Sequence, residues 1–158
     1  MSPDRASLSS SPPIATVSVA SPNVNELEEG LALTLDFDKL AKVAATGSSV
    51  VPVVLQNADS GDVLFIGYAN ELAVRETFAR RSAVLWSTSR NELWHKGATS
   101  GDTLDLVDVR VNCEQNSLLY RVRPRTGGAC HTLDSARGEA RSTCYYRLVE
   151  DPSTLRWA

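Results

Sequence analysis

The chain has 158 residues, a formal net charge of −3 and a pI near 5.4. This length suits one domain plus a tail, with roughly two-thirds of the unfolded surface buried on folding. The acidic balance disfavours extended nucleic-acid binding, so any phosphate must be held by a local cluster of cations. No apolar run approaches the roughly 18 residues of a membrane span, and the N-terminus lacks the pattern of a secretory signal. We therefore expect a cytoplasmic protein without membrane or nucleic-acid partners.

The chain divides by composition into a tail and one domain. Residues 1–25 are rich in Ser, Pro and Ala and nearly free of aromatic side chains, which predicts a disordered tail. A transit peptide is the alternative for this segment, although it holds a single Arg and an early Asp. Residues 26–152 form the predicted domain, and residues 153–158 are expected to be a C-terminal tail.

The first half of the domain mixes helix and strand signals. Residues 26–47 are compatible with a short strand running into a helix capped by Asp36 or Asp38 and ended by Gly47. Residues 50–58 and 62–69 are β-branched and aromatic runs on either side of a DSGD turn, which predicts a hairpin.

The second half begins with one clear helix and continues in strands. Residues 70–81 predict a helix with Asn70 as N-cap and an apolar stripe through Leu72, Val74 and Phe78. Strands are then predicted at 82–89, at 103–113 and 117–125 as a second hairpin, and at 143–151. The fold class is therefore a β-rich α+β domain with two hairpins and one main helix.

The segment WSTSRNELWHKGATSG, residues 86–101, does not have the composition of a core element. It combines two tryptophans, three basic groups, several hydroxyls and two glycines in sixteen positions. An indole stacks on flat rings, and Arg, Lys and Ser hydroxyls hold anions. We expect this segment to form the mouth of a nucleotide site.

The three cysteines, Cys113, Cys130 and Cys144, are 17 and 14 residues apart and form no CxxC motif. On spacing alone, each is most simply a small buried apolar residue. However, all three stand among polar residues or glycines, and His131 follows Cys130 directly. Three thiolates leave one tetrahedral zinc position open for a water with a pKa of about 7, as in catalytic zinc sites. A neighbouring imidazole then moves the proton of that water.

The runs GYANELAVRET, WSTSRNELWHKGATSGDTLDLVDVRVNCEQNSLLYRV, GGACHT and TCYY together resemble the phosphoribosyl-AMP cyclohydrolase family. The resemblance covers about residues 50–147, and SRNELWHKGATSG is its most specific part. It implies a hydrolase of the third step of histidine biosynthesis, which opens the N1–C6 bond of the purine ring. It also implies a homodimer with composite active sites at the interface, one zinc per site and a magnesium requirement.

The resemblance also implies roles for particular residues. Cys113 resembles the zinc ligand from one subunit, and Cys130 and Cys144 resemble those from the other. His131 is the candidate general base or proton shuttle, and His95 is a second catalytic candidate whose alternative is a loop-shaping hydrogen bond. The matching substrate-binding motif contains Trp86, Ser87, Ser89, Arg90, Trp94, His95, Lys96 and Ser100. Core packing is the alternative for the two tryptophans, and a solvated surface is the alternative for Arg90 and Lys96.

Two departures from the family pattern stand out. The family's three carboxylates around the first cysteine resemble a magnesium site, but here the positions hold Asn112, Glu114 and Asn116. Ligand charge falls from about −3 to about −1, so magnesium affinity should drop sharply. The interval between Cys130 and Cys144 is also about seven residues longer than in the family, which reads as a surface loop that costs little to close. Arg137 and Arg141 in this loop are either solvated or additional phosphate contacts.

Two other functions fit the same residues. The altered string around Cys113 also suits a paralogue that hydrolyses another purine- or pterin-like ring. A zinc-stabilised module without catalysis is the third hypothesis, and it predicts that zinc removal unfolds the domain. The phosphoribosyl-AMP hydrolase remains the preferred function.

Overall fold

Residues 24–158 are described by the computed structural model, and they contain three helices and ten strands. The predicted tail lies outside these residues, except for its last two, which begin the first helix. The elements are α1 (Val24–Glu29), α2 (Lys39–Ala45), β1 (Val51–Asn57), β2 (Val63–Ala69), α3 (Glu71–Arg80), β3 (Val84–Ser87), β4 (Glu92–His95), β5 (Leu104–Val111), β6 (Leu118–Pro124), β7 (Leu133–Asp134), β8 (Glu139–Ala140), β9 (Arg147–Asp151) and β10 (Thr154–Trp157). The predicted β-rich α+β class is confirmed.

A four-stranded sheet with the order β2-β1-β6-β5 carries the core. Both predicted hairpins are present, β1 with β2 and β5 with β6, and a parallel pairing of β1 with β6 joins them. Val53 and Leu55 of β1 and Tyr120 and Val122 of β6 alternate with more accessible neighbours and are completely buried. The period-two pattern therefore buries one face of the sheet more deeply than the other.

Helix α3 packs mainly against β3, and its small side chain at Ala73 is part of the buried core. Asn70 caps it as predicted, because its Oδ1 accepts the Ala73 backbone N–H at 2.9 Å. The predicted stripe is wrong in part, since Leu72 and Phe78 are about half exposed whereas Thr77 is fully buried. The Thr77 hydroxyl bonds backbone groups instead, so the helix packs through its small and polar positions.

The segment 86–101 is more regular than its composition suggests, because most of its first half forms a β-hairpin with the residues before it. Strands β3 and β4 pair antiparallel from Val84 with His95 to Ser87 with Glu92. The strand predicted at 82–89 is thus confirmed in its central part. Strand β4 was not predicted, because polar residues stand at both of its ends. Leu85 and Trp94, which face each other across this hairpin, anchor it to the core.

The C-terminal residues are also ordered against expectation. Strand β10 pairs with β9, so residues 153–158 do not form a simple tail, and the strand predicted at 143–151 begins only at Arg147. The segment after α1 joins this hairpin through an Ala32 to Thr154 bridge and a bond from the Leu155 N–H to the Leu31 carbonyl. No helix in residues 24–158 is long and apolar enough to span a membrane.

Candidate active site

A cavity of about 460 Å³ lies where the end of β4 meets the cysteine-bearing loops. It brings together residues that are far apart in the sequence, from β2, from the β3–β4 hairpin and the turn after it, and from the region of Ala129 to Cys144. Its lining residues are Phe65, Arg90, Glu92, Trp94, His95, Lys96, Gly97, Ala98, Thr99, Ser100, Ala129, His131 and Cys144.

Lys96 is the buried cation of this cavity. Only 7% of its surface is exposed, which is unusual for a lysine, and its charge acts on the nearby Cys144 thiol. The chain turns sharply directly after it at Gly97, whose φ is +80°. A Cβ at this glycine would overlap the backbone of Asp102 and Thr103, so only glycine fits the close approach.

His95 is held by a hydrogen bond that limits its chemistry. Its Nε2 lies 2.9 Å from the Ser82 hydroxyl, which itself donates to the Leu104 carbonyl at 3.2 Å. Because that hydroxyl has one proton to give, it accepts from the His95 Nε2–H. Burial, and then the charge of Arg80, lower the pKa of His95. A neutral ring bonded to Ser82 agrees with the loop-shaping alternative for this histidine.

Cys130 and Cys144 form a pair of neighbouring thiols beside the cavity. Cys144 is positioned by its backbone N–H, which donates to the Leu64 carbonyl of β2 at 2.8 Å. The hydrogen bond from the Cys144 thiol lowers the pKa of Cys130 to about 5, with further help from Thr132. The same contact raises the pKa of Cys144. The pair therefore favours one thiolate, the form in which cysteine binds a metal or acts as a nucleophile.

The buried Thr132 hydroxyl links the Arg141 guanidinium to the Cys130 thiol. The Thr132 hydroxyl lies 3.0 Å from the Cys130 Sγ and 3.0 Å from the Arg141 Nη1. A guanidinium can only donate, so the threonine accepts from Arg141 and its own proton stays available to a Cys130 thiolate. The Arg141 side chain is only 10% exposed and pairs with Glu29, so the solvated alternative for this residue is wrong. Arg137, by contrast, is exposed, 4.0 Å from Asp134.

Cys113 is remote from the thiol pair within one chain. Cys144 is tied to β2 at one edge of the central sheet, whereas Cys113 follows β5 at the opposite edge. Three strand spacings of about 4.8 Å separate those edges, roughly 14 Å, whereas zinc–sulfur bonds are about 2.3 Å long. Accordingly, no group of three or more His, Cys, Asp or Glu residues is placed for a metal within the described part of a single chain.

The polar side chains around Cys113 bond one another. The Asn112 Oδ1 accepts the backbone N–H groups of Asn116 and Ser117 at 3.0 and 2.9 Å, and its Nδ2 donates to the Asn116 Oδ1 at 2.7 Å. The Asn116 amide in turn donates to Glu114 at 3.1 Å. The three positions considered for magnesium thus form a closed turn in which amide groups replace carboxylates.

His131 reaches the cavity from the protein surface. Its Nε2 lies 2.7 Å from the Glu28 carboxylate of α1, while 75% of its side chain is exposed. It follows Cys130 directly, so the candidate proton carrier and the first thiol of the pair are neighbours in the chain.

The substrate-binding candidates divide into two groups. Arg90, Trp94, Lys96 and Ser100 line the cavity together with His95. Trp86, Ser87 and Ser89 are not among the lining residues that the structure describes, and Ser87 accepts the Arg90 backbone N–H inside the hairpin turn. The role of these three residues in substrate binding stays a prediction.

The sequence gives no signal for two residues of the site, Glu28 and Thr132, which only tertiary contacts reveal. Arg141 was a candidate phosphate contact in the sequence, but its bonds to Glu29 and Thr132 were not predicted. A larger cavity of about 800 Å³, between the β7–β8 hairpin and the C-terminal residues, contains none of the cysteines or histidines of residues 24–158. We therefore identify the cavity of about 460 Å³ as the candidate active site.

A strand-rich α+β domain in which an indole, two histidines, a buried lysine and a cysteine line one cavity has the side chains of an enzyme active site. The family model for phosphoribosyl-AMP cyclohydrolase matches residues 65–146, about half of the chain. The chain therefore belongs to the phosphoribosyl-AMP cyclohydrolase family, which makes it a hydrolase of histidine biosynthesis.

Individual relatives agree with this family. A phosphoribosyl-AMP cyclohydrolase of Haloarcula marismortui is 47% identical over 100 residues, which are 63% of this chain and 77% of the relative. Another of that name, from Caulobacter vibrioides, is 38% identical over 128 residues, covering 80% of this chain and 81% of the relative. A third, from Thermobifida fusca, is 43% identical over 100 residues, 63% of this chain and 85% of the relative.

Proposed function

We propose that this enzyme opens the N1–C6 bond of the purine ring of phosphoribosyl-AMP by hydrolysis, and that it does so as a zinc enzyme. The observation that carries the proposal is the convergence of the thiol pair, His131 and the buried Lys96 on one cavity in a chain of this family. The reaction adds water to C6, breaks the N1–C6 bond and leaves the proton on N1, which gives the ring-opened carboxamide nucleotide.

The thiol pair fits the donor set of a zinc site. Two sulfur ligands in contact, one with a pKa lowered to about 5, are soft ligands close to the form that zinc binds. The third ligand in our proposal is Cys113 of a second copy of the chain, because that residue lies at the far edge of its own sheet. When bound, zinc supplies the Lewis acidity that makes a water nucleophilic near neutral pH. The active unit is thus a homodimer with shared sites.

In this proposal the other cavity residues bind the substrate or transfer a proton. The Trp94 indole, which packs against Phe65 with ring centroids 6.1 Å apart, offers a flat surface for the purine. Lys96 and Arg90 supply charge for the two phosphates, and Arg90 exchanges its Glu92 partner, at 2.6 Å, for substrate. His131 carries the proton from the attacking water toward N1.

We propose only weak magnesium binding. A hard cation needs several oxygen ligands with charge, and the turn around Cys113 offers one carboxylate among amides that already bond one another. We propose that Asn112, Glu114 and Asn116 hold the turn in shape and bind magnesium weakly. The three free cysteines agree with the reducing cytoplasm as the working compartment.

The direct test is hydrolysis of phosphoribosyl-AMP by the purified, zinc-loaded protein and by Cys113→Ala. The proposal predicts turnover that the variant loses, while the Gln115→Ala control, an exposed neighbour in the same turn, keeps it. A zinc-loaded wild type that binds the nucleotide and leaves it intact would refute the proposal and favour the hydrolase of another purine-like ring. Unfolding on zinc removal, without any turnover, would favour the non-catalytic module.

A further inference from the structure

We propose that Glu28 is a positioning residue for His131, and that helix α1 serves to bring this carboxylate to the active site. The inference rests on the proposed function, because it assigns His131 a proton-transfer role in the same reaction. Glu28 lies outside residues 65–146, the region that the family model matches.

In the contact between Glu28 and His131 the carboxylate is the more buried partner, as expected of a residue that positions the other. The Glu28 Oε1 and the His131 Nε2 are 2.7 Å apart, but the Glu28 side chain is 28% exposed whereas the His131 side chain is 75% exposed. The carboxylate is therefore held by the protein while the ring stands open to the cavity. An exposed ion pair without such anchoring contributes little.

Helix α1 is fastened to the segment on either side of Cys144. Six residues are too few for a helix to persist alone, so tertiary bonds hold it. The Tyr146 hydroxyl donates to the Glu28 carbonyl at 2.8 Å, and Arg147 donates to the Leu27 and Gly30 carbonyls at 2.9 and 2.7 Å. Another bond pair joins Glu29 to Arg141, whose guanidinium also stacks on the Tyr146 ring at 4.1 Å.

The consequence for His131 is a defined tautomer. A carboxylate only accepts hydrogen bonds, so the ring proton stands on Nε2 and Nδ1 keeps a free lone pair. Such a partner behind a histidine fixes its tautomer and its ring orientation. Nδ1 is then the atom that takes the proton during hydrolysis, and Glu28 acts only through the ring.

Three variants separate positioning from helix docking. Glu28→Met keeps the length and helix propensity of the side chain and removes the acceptor, whereas Glu28→Gln keeps an acceptor oxygen. Glu29→Met removes the neighbouring carboxylate, which contacts Arg141 and not the histidine. We expect kcat to fall about tenfold to a hundredfold in Glu28→Met with KM nearly unchanged. Glu28→Gln and Glu29→Met should both stay within a few-fold of wild type.

Equal losses of kcat in Glu28→Met and Glu29→Met, or wild-type kcat in Glu28→Met, would overturn the inference. A wild type without any turnover would instead refute the proposed function, and a second measurement then decides about Glu28. The chain has two histidines, so side-chain ¹⁵N spectra are simple to assign. In spectra of the neutral rings, the wild-type His131 should show one tautomer, with the proton on the Nε2 that faces Glu28.

In Glu28→Met the His131 signals should move toward a tautomer mixture, while those of His95, held by Ser82, stay in place. His131 spectra that are identical in wild type and Glu28→Met would contradict the positioning contact, whatever the kinetics show.

Discussion

Gly97, which follows the buried Lys96, allows a sharp test of how the cavity wall is built. Its φ of +80° costs an alanine about 1–2 kcal/mol. The new Cβ would also come within 3.0 Å of backbone atoms of Asp102 and Thr103, which no side-chain rotation relieves. Overpacking of this kind adds about 1–3 kcal/mol. We therefore predict that Gly97→Ala lowers the free energy of unfolding by about 2–5 kcal/mol.

Gly101 provides the matched control four residues later. Its φ of +86° is similar, but a Cβ there would meet no atom within 4 Å. Gly101→Ala should therefore cost only the conformational part, about 1–2 kcal/mol. The difference between the two variants isolates the steric overlap at Gly97.

The assay is urea unfolding at one fixed protein concentration, because the stability of the proposed homodimer would depend on concentration. For a chain of this length, each kcal/mol should shift Tm by about 2–4 °C. Steady-state kinetics well below the Tm of Gly97→Ala should show a raised KM, because the overlap displaces Lys96. Equal destabilisation by the two alanines, or an unchanged KM in Gly97→Ala, would refute the account of this turn.

Thr77→Val should lower the free energy of unfolding by about 1–3 kcal/mol, because it leaves the buried Val84 N–H without its acceptor. Thr77→Ser keeps the hydroxyl and should cost less. Equal losses of stability in the two variants would contradict this reason. The double variant Asn112→Asp, Asn116→Asp should have a lower Tm in EDTA, because its carboxylates repel one another. Millimolar Mg²⁺ should restore the Tm of this variant, whereas the Tm of the wild type should not respond to Mg²⁺. Burial lowers the pKa of His95 below its unfolded value, so its contribution to stability is complete above about pH 6.5 and is lost as pH falls. His95→Gln should therefore lose less stability on acidification than wild type, as urea unfolding at several pH values would show.

The sequence predicted the elements whose signals are local. The two hairpins of the central sheet follow from alternating apolar residues on either side of polar turns, and Asn70 marks the start of α3. Strand β4 was missed because polar residues at Glu92 and His95 flank its apolar pair. Strand β10 was missed because Trp157 and its neighbours gain order only by pairing with β9.

The site was predictable in its residue types but not in its connections. The spacing of the cysteines does not say which two meet, and the pairing of Cys130 with Cys144 depends on a backbone bond to β2. The environment of Arg141 is set by Glu29, more than one hundred residues earlier in the chain. Contacts of this kind arise from tertiary packing, and no local pattern encodes them.

Subunit mixing is the measurement that tests the shared zinc site most directly. Cys113→Ala and Cys144→Ala are each predicted to be inactive, because every site then lacks one ligand. Co-expressed with different tags, they form hybrid dimers in which one of the two sites is complete, so a random mixture should recover about a quarter of wild-type hydrolysis of phosphoribosyl-AMP.

The matched control is a mixture of Cys130→Ala with Cys144→Ala. Both of these changes fall on the same side of the proposed site, so no hybrid contains a complete one and no activity should return. Recovery in the first mixture alone would establish that Cys113 of one subunit serves the thiol pair of the other. Hybrids of Cys113→Ala and Cys144→Ala that bind zinc no better and hydrolyse no faster than this control would contradict the account.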